Sequence, residues 1–318
     1  MTRYILTGTS GRLGSRVLTH VLEKKLIPPT DLIISATNPD RVPSIAKQYG
    51  LDVRRGDYTD RESLKAAFTG GDVLFLVSHN DPGTQRVEYH KNAIESARAV
   101  GVKTIVYTSM MFGGETGLDS VIGIQQGHVH TVKYLMQQQQ SGMDYIVLRE
   151  GLYAQAWGYY ADLRYGMWNK GKVLFKKGDT APLEWVIPND AAIAWVDIDD
   201  LAEGNALILA DYTRYVNQTL RLTGPRTTSV GEIAKLVEER TGRKVDLRLV
   251  GRDEAVKWHK GHHTVPPESF DWLENNWGGW WEGLARGEGE VVDPILSQVL
   301  GRQAKGLVEI ADEMLTPQ

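Results

Sequence analysis

A chain of 318 residues with 42% hydrophobic and 24% charged side chains has the make-up of a globular protein, large enough for one sizeable core plus a smaller attachment. Its net charge of −4 offers no basic field for nucleic acid, and no apolar run approaches the about 20 residues that span a bilayer. The absence of cysteine excludes disulfides, thiolate nucleophiles and cysteine-bound zinc; with no leader-like amino terminus, the expected location is the cytoplasm.

The first predicted strand is "YILT" (4–7). It runs into "GTSGRLG", with glycine at positions 8, 11 and 14, and a helical stretch follows over 13–23. Further strands are predicted at "LIISA" (32–36), "LDVRR" (51–55), "VLFLV" (73–77), "TIVYTS" (104–109) and "DYIVLR" (144–149). Helical patterns over 61–68, 84–99 and 127–140 alternate with them. Several of these strands are nearly continuously apolar, as required when helices cover both faces. Six strands in βα alternation give an α/β fold, a doubly wound parallel sheet in the order 3-2-1-4-5-6, with ligands beyond the carboxyl ends of the strands. The second half is less regular. It reads as a helix over 198–210, a strand over 219–223, a helix over 230–241 and a strand over 245–250. The expected division is a dinucleotide-binding Rossmann domain at 1–150. A smaller α+β lobe on the substrate side follows at 151–318, with some segments returning to the first core.

A strand, a glycine turn and then a helix form the context in which three glycines read as a phosphate site. Gly8 permits the tight turn, Gly11 the close approach of backbone to a diphosphate, and Gly14 the contact between helix and strand. Thr9, Ser10, Arg12 and Leu13 complete the loop, and the helix that follows offers free N–H groups and a partial positive charge to an anion. The spacing G-x-x-G-x-x-G is the form found in short-chain and extended dehydrogenase-like proteins. At the end of the second strand NAD would be met by an acid. Here Ala36, Thr37 and Asn38 stand there, while Arg12 and Arg41 offer guanidinium groups to a 2′-phosphate, so NADP(H) is favoured over NAD(H). Asp40 is the discordant neighbour.

With those residues placed, the chain resembles the NmrA-like family of atypical short-chain dehydrogenase/reductases from Thr7 to about Arg302. The likeness rests on an ordered series: "TNP" after the second strand, "GDYTD" (56–60), "GVKTIVYTS" (101–109), "HVHTVKYL" (128–135), "LREGLY" (148–153), "VDIDDLA" (196–202) and "VVDPILSQVLGR" (291–302). The family includes NADPH-dependent quinone reductases, iminium-reducing enzymes and regulators that bind NADP without turnover, so the resemblance implies the fold more firmly than an activity. It implies Asp57 and Tyr58 near the adenine, Ser78 and His79 beside the nicotinamide ribose, Ser109 facing the reaction and Lys133 bonding that ribose. Where the family often has proline beside the glycine after the sixth strand, this chain has Glu150.

Standard short-chain dehydrogenases carry a tyrosine four residues before the lysine; here Val129 occupies that position. His130, Tyr153 and Ser109 are the remaining candidates for proton transfer. A missing tyrosine favours an acceptor that does not leave a localised alkoxide, such as a quinone, an enone or a cyclic iminium. The nine tryptophans add aromatic faces suited to a flat substrate. Five aromatics lie in "FDWLENNWGGWW" (270–281), and Trp157, Tyr159 and Tyr160 follow the sixth strand; the alternative for them is core packing or a dimer contact. No metal site is expected: His128 and His130 face apart on a helix, and His259, His262 and His263 lack a clustered carboxylate. The basic stretch "RYGMWNKGK" (164–172) is too short for nucleic-acid binding. The expected function is NADPH-dependent reduction of an electron-poor, planar small molecule. The alternatives are a redox-sensing regulator with a protein partner, or a non-redox enzyme holding NADP as scaffold.

Overall fold

The computed structural model describes residues 1–81, 83, 85–163, 175–176 and 178–315; the basic stretch at 164–172 lies outside them. β1 (Tyr4–Leu6) leads through the glycine turn into α1 (Arg12–Glu23), β2 (Leu32–Ala36), α2 (Ser44–Gln48), β3 (Asp52–Arg55) and α3 (Arg61–Phe68). Next come β4 (Val73–Leu76), α4 (Gln85–Ala99), β5 (Thr104–Met110), α5 (Gly123–Gln139) and β6 (Asp144–Glu150). The second half contributes α6 (Gly158–Ala161), β7 (Leu183–Ile187), β8 (Ala192–Ile193), α7 (Ile198–Ala210), β9 (Gln218–Leu222), β10 (Thr228–Ser229), α8 (Val230–Thr241) and β11 (Val245–Leu249). It continues with α9 (Arg252–Gly261) and α10 (Phe270–Trp272). A π-helical turn (Leu273–Trp277) then leads to α11 (Gly278–Ala285), α12 (Ile295–Leu300) and α13 (Ala311–Leu315). No described helix is long and apolar enough to cross a membrane.

The central sheet is parallel throughout, in the order β3-β2-β1-β4-β5-β6-β9. The order of the first six is the one the sequence predicts. The seventh strand, β9, returns from beyond residue 150 and pairs along the open edge of β6. Side chains alternate between two buried cores. Tyr4, Leu6, Phe75, Val106, Ile146 and Leu148 face one layer, which α1, α7 and α12 cover. Ile5, Leu74, Leu76, Ile105, Tyr107 and Val147 face the other, under α3, α4 and α5. This two-sided burial is why the strands lack an apolar–polar alternation in sequence.

A third core joins the segment after β6 to β7, β8, α8, α9 and α11, and is rich in tryptophan. Trp157, Trp185, Trp195, Trp277 and Trp281 are all buried there, with Trp277 set edge-on to Trp281. The helices of this half carry ordinary local signals: Ser229 and Glu232 form a capping box for α8, and Gly242 ends it in the left-handed conformation.

The carboxyl-terminal segment is tied to the sheet layer by ion pairs, among them those of Arg302 with Asp200 and Glu203. Arg302 grips Asp200 of α7 through both terminal nitrogens, at 2.7 and 2.9 Å, and the Lys305 backbone N–H donates to the same carboxylate at 2.7 Å. The Asp200 side chain is only 2% exposed, so removing its partner strands a buried charge. Arg302→Ala is expected to lower unfolding free energy by roughly 2–3 kcal/mol, less than a fully buried pair would because the arginine is part-exposed. Urea denaturation at neutral pH measures it.

Candidate functional site

The turn after β1 is close-packed around two of its glycines. Gly8 has φ +65°, and a Cβ there would lie 2.7 Å from Cβ of Val77 on the neighbouring strand end. A Cβ on Gly14 would lie 2.3 Å from the Gly8 carbonyl oxygen, backbone against backbone. Gly11 donates to that same oxygen at 2.9 Å and serves as N-cap of α1, with no side chain capping the helix and no acid in its first turn. The first N–H groups of α1 therefore open, without protein partners a turn behind them, on a cleft of about 640 Å³.

Thr9, Ser10, Gly11, Arg12, Leu13 and Gly14 line one side of this cleft. Thr37, Asn38 and Arg41 line another, with Tyr58 between them and Ser78, His79 and Tyr153 at the far end. No carboxylate is among the described lining residues. Asp40 stays out: it is exposed, and its backbone N–H bonds the Asn38 side chain at 3.0 Å. Asp57 stays out as well, because its carboxylate accepts from the N–H and hydroxyl of Thr59 within its own turn. Tyr58 reaches the cleft, yet its hydroxyl is tied to Thr7 and to the Val77 carbonyl, at 2.9 and 3.0 Å, and burial raises its pKa. Small residues in a close turn, free amides and two exposed arginines fit a dinucleotide, the phosphates on α1 and a 2′-phosphate by Arg12 and Arg41. The buried hydroxyl of Thr9 has no partner among the described residues.

The cleft continues into a second chamber of about 270 Å³, which shares Leu13, Val77, Ser78, His79, Asn80 and Tyr153 with it. Ser109 and Met110 from the end of β5 line the chamber, as do Glu150, Gly151 and Leu152 from β6 onward. Tyr159, Tyr160 and Trp280 supply an aromatic wall, with the Tyr160 and Trp280 rings stacked 5.2 Å apart. Trp157, Trp277 and Trp281 are instead core residues, so the aromatic cluster divides between substrate wall and packing.

Behind the chamber lies a buried polar network. His128 Nδ1 meets the Tyr107 hydroxyl at 2.9 Å, and its Nε2 meets Arg86 Nη1 at 2.7 Å. Since guanidinium only donates, Nε2 must accept and Nδ1 must carry the proton. Burial, reinforced by Arg86, pushes the His128 pKa well down and that of His90 to about 3, so both rings are neutral. Burial also raises Tyr107 to about 12.

The two residues expected to act from this helix stand apart from the network. His130 and Lys133 are both exposed, and neither lines the cleft or the chamber. At roughly 100° per residue, they point about 160° and 140° away from His128, the inward-facing residue. Ser78, His79 and Tyr153 stand at the junction of cleft and chamber, and Ser109 lines the chamber alone. Sequence reasoning missed His128, Arg86 and Tyr107 as site residues. One signal was available: His128, Val132 and Leu135 share a helical stripe, which marks His128 as core-facing. For Arg86, in the polar run "QRVEYHKN", no such signal exists.

Residues 8–159 match a family model described as NAD(P)H-binding. The NmrA-like family domain-containing oxidoreductase of Aspergillus flavus is 28% identical over 305 residues, 94% of this chain and 91% of that protein. Quinone oxidoreductase 2 of Escherichia coli is 35% identical over 150 residues, covering 47% of this chain and 49% of the other. The solved NADPH complex of an Escherichia coli NADPH-dependent quinone oxidoreductase superposes with a TM-score of 0.79 at 23% identity, over 98% of this chain and 100% of that one. The triphenylmethane reductase of Citrobacter sp., solved with NADP(H), gives 0.79 at 24% identity, over 98% and 99%. At these identities the superpositions establish the shared fold.

Proposed function

We propose that this chain, an NmrA-like protein with an NAD(P)H-binding domain, is an NADPH-dependent reductase of a flat, electron-poor small molecule of the quinone or enone class. The observation that carries the reading is the continuity of the two cavities: a phosphate-binding turn at one end and an aromatic-walled chamber at the other, joined at Ser78, His79 and Tyr153. The names of its relatives agree with it. NADPH, when bound, supplies a hydride. The glycine turn and α1 hold its diphosphate, and Tyr159, Tyr160 and Trp280 hold the acceptor flat. Among the described residues no tyrosine–lysine pair lines the two cavities, which suits an acceptor that delocalises the incoming charge.

Purified protein mixed with NADPH and a panel of quinones, enones and cyclic imines tests the reading through loss of NADPH absorbance. Turnover of a quinone or enone supports it. Tight NADPH binding with no turnover across the panel, plus a captured protein partner, favours a sensing role; product without net NADPH consumption indicates a non-redox enzyme. The cofactor preference has its own test. Arg12→Ala and Arg41→Ala are each expected to weaken NADPH roughly tenfold while leaving NADH nearly unchanged, the loss of one charged hydrogen bond to a phosphate. Equal effects on the two nucleotides would remove the 2′-phosphate assignment.

A further inference from the structure

Arg86 stands in the first turn of α4 and is 4% exposed, yet it lines the acceptor chamber. Its Nε donates to the Asp81 carbonyl at 2.7 Å and its Nη1 to His128. Nη2 has no hydrogen-bond partner among the described residues. The stem lies against α5 at Gly127, where a Cβ would approach its Cδ to 3.0 Å. No carboxylate among the described residues comes within ion-pair distance. The side chain of Asp81 is turned to the Gly83 N–H, and Glu88 pairs with Lys91. What faces the guanidinium is Tyr107 from β5, neutral His128 from α5, and His90 from its own helix, with the strand-end residue His79 close by. Burial lowers the Arg86 pKa from its ordinary value, while nearby Tyr107 and Asp81 oppose that shift. Nη2, unpaired among the described residues and open to the chamber, is the donor that a ligand oxygen there would meet.

We propose that Arg86 is an anion-recognising catalytic residue, binding the oxygen on which negative charge develops when the acceptor is reduced. This rests on the reductase reading and narrows it to acceptors with a carbonyl oxygen, excluding iminium ions, whose positive charge Arg86 would repel. With NADPH bound as the two-electron donor, the hydride would form a new C–H bond at a conjugated carbon of the acceptor, and the displaced π electrons would move to the carbonyl oxygen as a delocalised oxyanion. Arg86 holds that oxyanion through N–H groups and keeps its own proton, water protonating the oxygen on release. His128 and Tyr107 position the guanidinium, Nε2 of His128 fixing the direction of Nη1. Around a side chain as buried as Arg86 such preorganised donors act more strongly than in open water.

The test needs no turnover. 4-Nitrophenol is a flat probe whose absorbance reports its ionisation, and its oxygen stands in for the developing oxyanion. Bound to the wild-type protein without nucleotide, it should ionise at least about one pH unit lower than in water, a tenfold preference for the phenolate. Arg86→Met should abolish the shift, and Arg86→Lys should keep part of it. In NADPH-driven quinone reduction, Arg86→Met should lower kcat roughly 10²–10³-fold with NADPH affinity unchanged. A probe that titrates in the wild-type chamber as it does in water, or equally in wild type and Arg86→Met, overturns the assignment, whatever the stability of the variants. Phenolate stabilisation by the wild type without turnover of any quinone or enone would leave the anion subsite standing and remove the reductase reading. Turnover with an unshifted probe would do the reverse.

Discussion

Gly14→Ala is expected to weaken NADPH binding at least about a hundredfold, as read by calorimetry, because one or two charged hydrogen bonds of about 1.5–3 kcal/mol each are lost. The reason is local and steric. The new methyl group would lie 2.3 Å from the Gly8 carbonyl oxygen and 2.7 Å from its carbon, and both are backbone atoms that cannot rotate aside. Either α1 moves away from β1 or the turn moves outward, and both displace the amides that would grip the diphosphate. Gly11→Ala provides the comparison within the same loop, since its Cβ would stand 3.2 Å from the same oxygen. It should be the milder of the two as far as packing inside the protein is concerned. Retention of full affinity by Gly14→Ala would mean that the nucleotide does not depend on this turn.

The second large effect concerns Glu150. Along β6 the side chains alternate, so Arg149 and Glu150 leave the sheet on opposite faces. Arg149 reaches the carbonyls of Met111, Gly114 and Glu115 and binds a loop that would otherwise have unpaired acceptors. Glu150 enters the other layer. It is 5% exposed, its strand neighbours are Met110 and Leu222, and among the described residues its carboxyl group meets only the Asn205 amide, at 3.2 Å, which leaves one carboxyl oxygen without a bond there. Burial raises its pKa to about 8, against a small opposing contribution from Asn205. Because the folded-state value lies above the unfolded one, its contribution to stability is fully present below 4.5 and is lost as pH rises through about 8. Glu150→Gln keeps the shape and cannot ionise. Between those limits the wild type should therefore lose roughly 3–5 kcal/mol relative to the variant, measured by urea unfolding at several pH values. Parallel pH profiles for the two proteins would show that the carboxyl is not held neutral. A neutral acid here also places an O–H group in the wall of the acceptor chamber at physiological pH.

The glycine turn between strand and helix and the strand order were legible because each depends on neighbours in sequence. A turn between strand and helix needs particular backbone angles, and apolar runs a helix apart leave few ways to wind a sheet. The helix after β5 shows the boundary of that legibility. Its residues could be read as helical, but the face that turns inward could not, since Thr131, Val132 and Leu135 set the buried side, carry His128 with them and leave Lys133 exposed. The tryptophans behave likewise. Composition shows an aromatic half, while only packing decides that Trp280 faces the chamber and Trp277 and Trp281 fill the core.

By itself the sequence determined the parallel sheet, the glycine turn between strand and helix and the want of a tyrosine four residues before Lys133, all properties of short contiguous segments. Only the tertiary structure decided that Arg86 of α4, His128 of α5 and Glu150 of β6 are buried and border one chamber. The physical reason is that charge and burial are set by what lies opposite a side chain, and those opposing residues come from elements far apart in the chain.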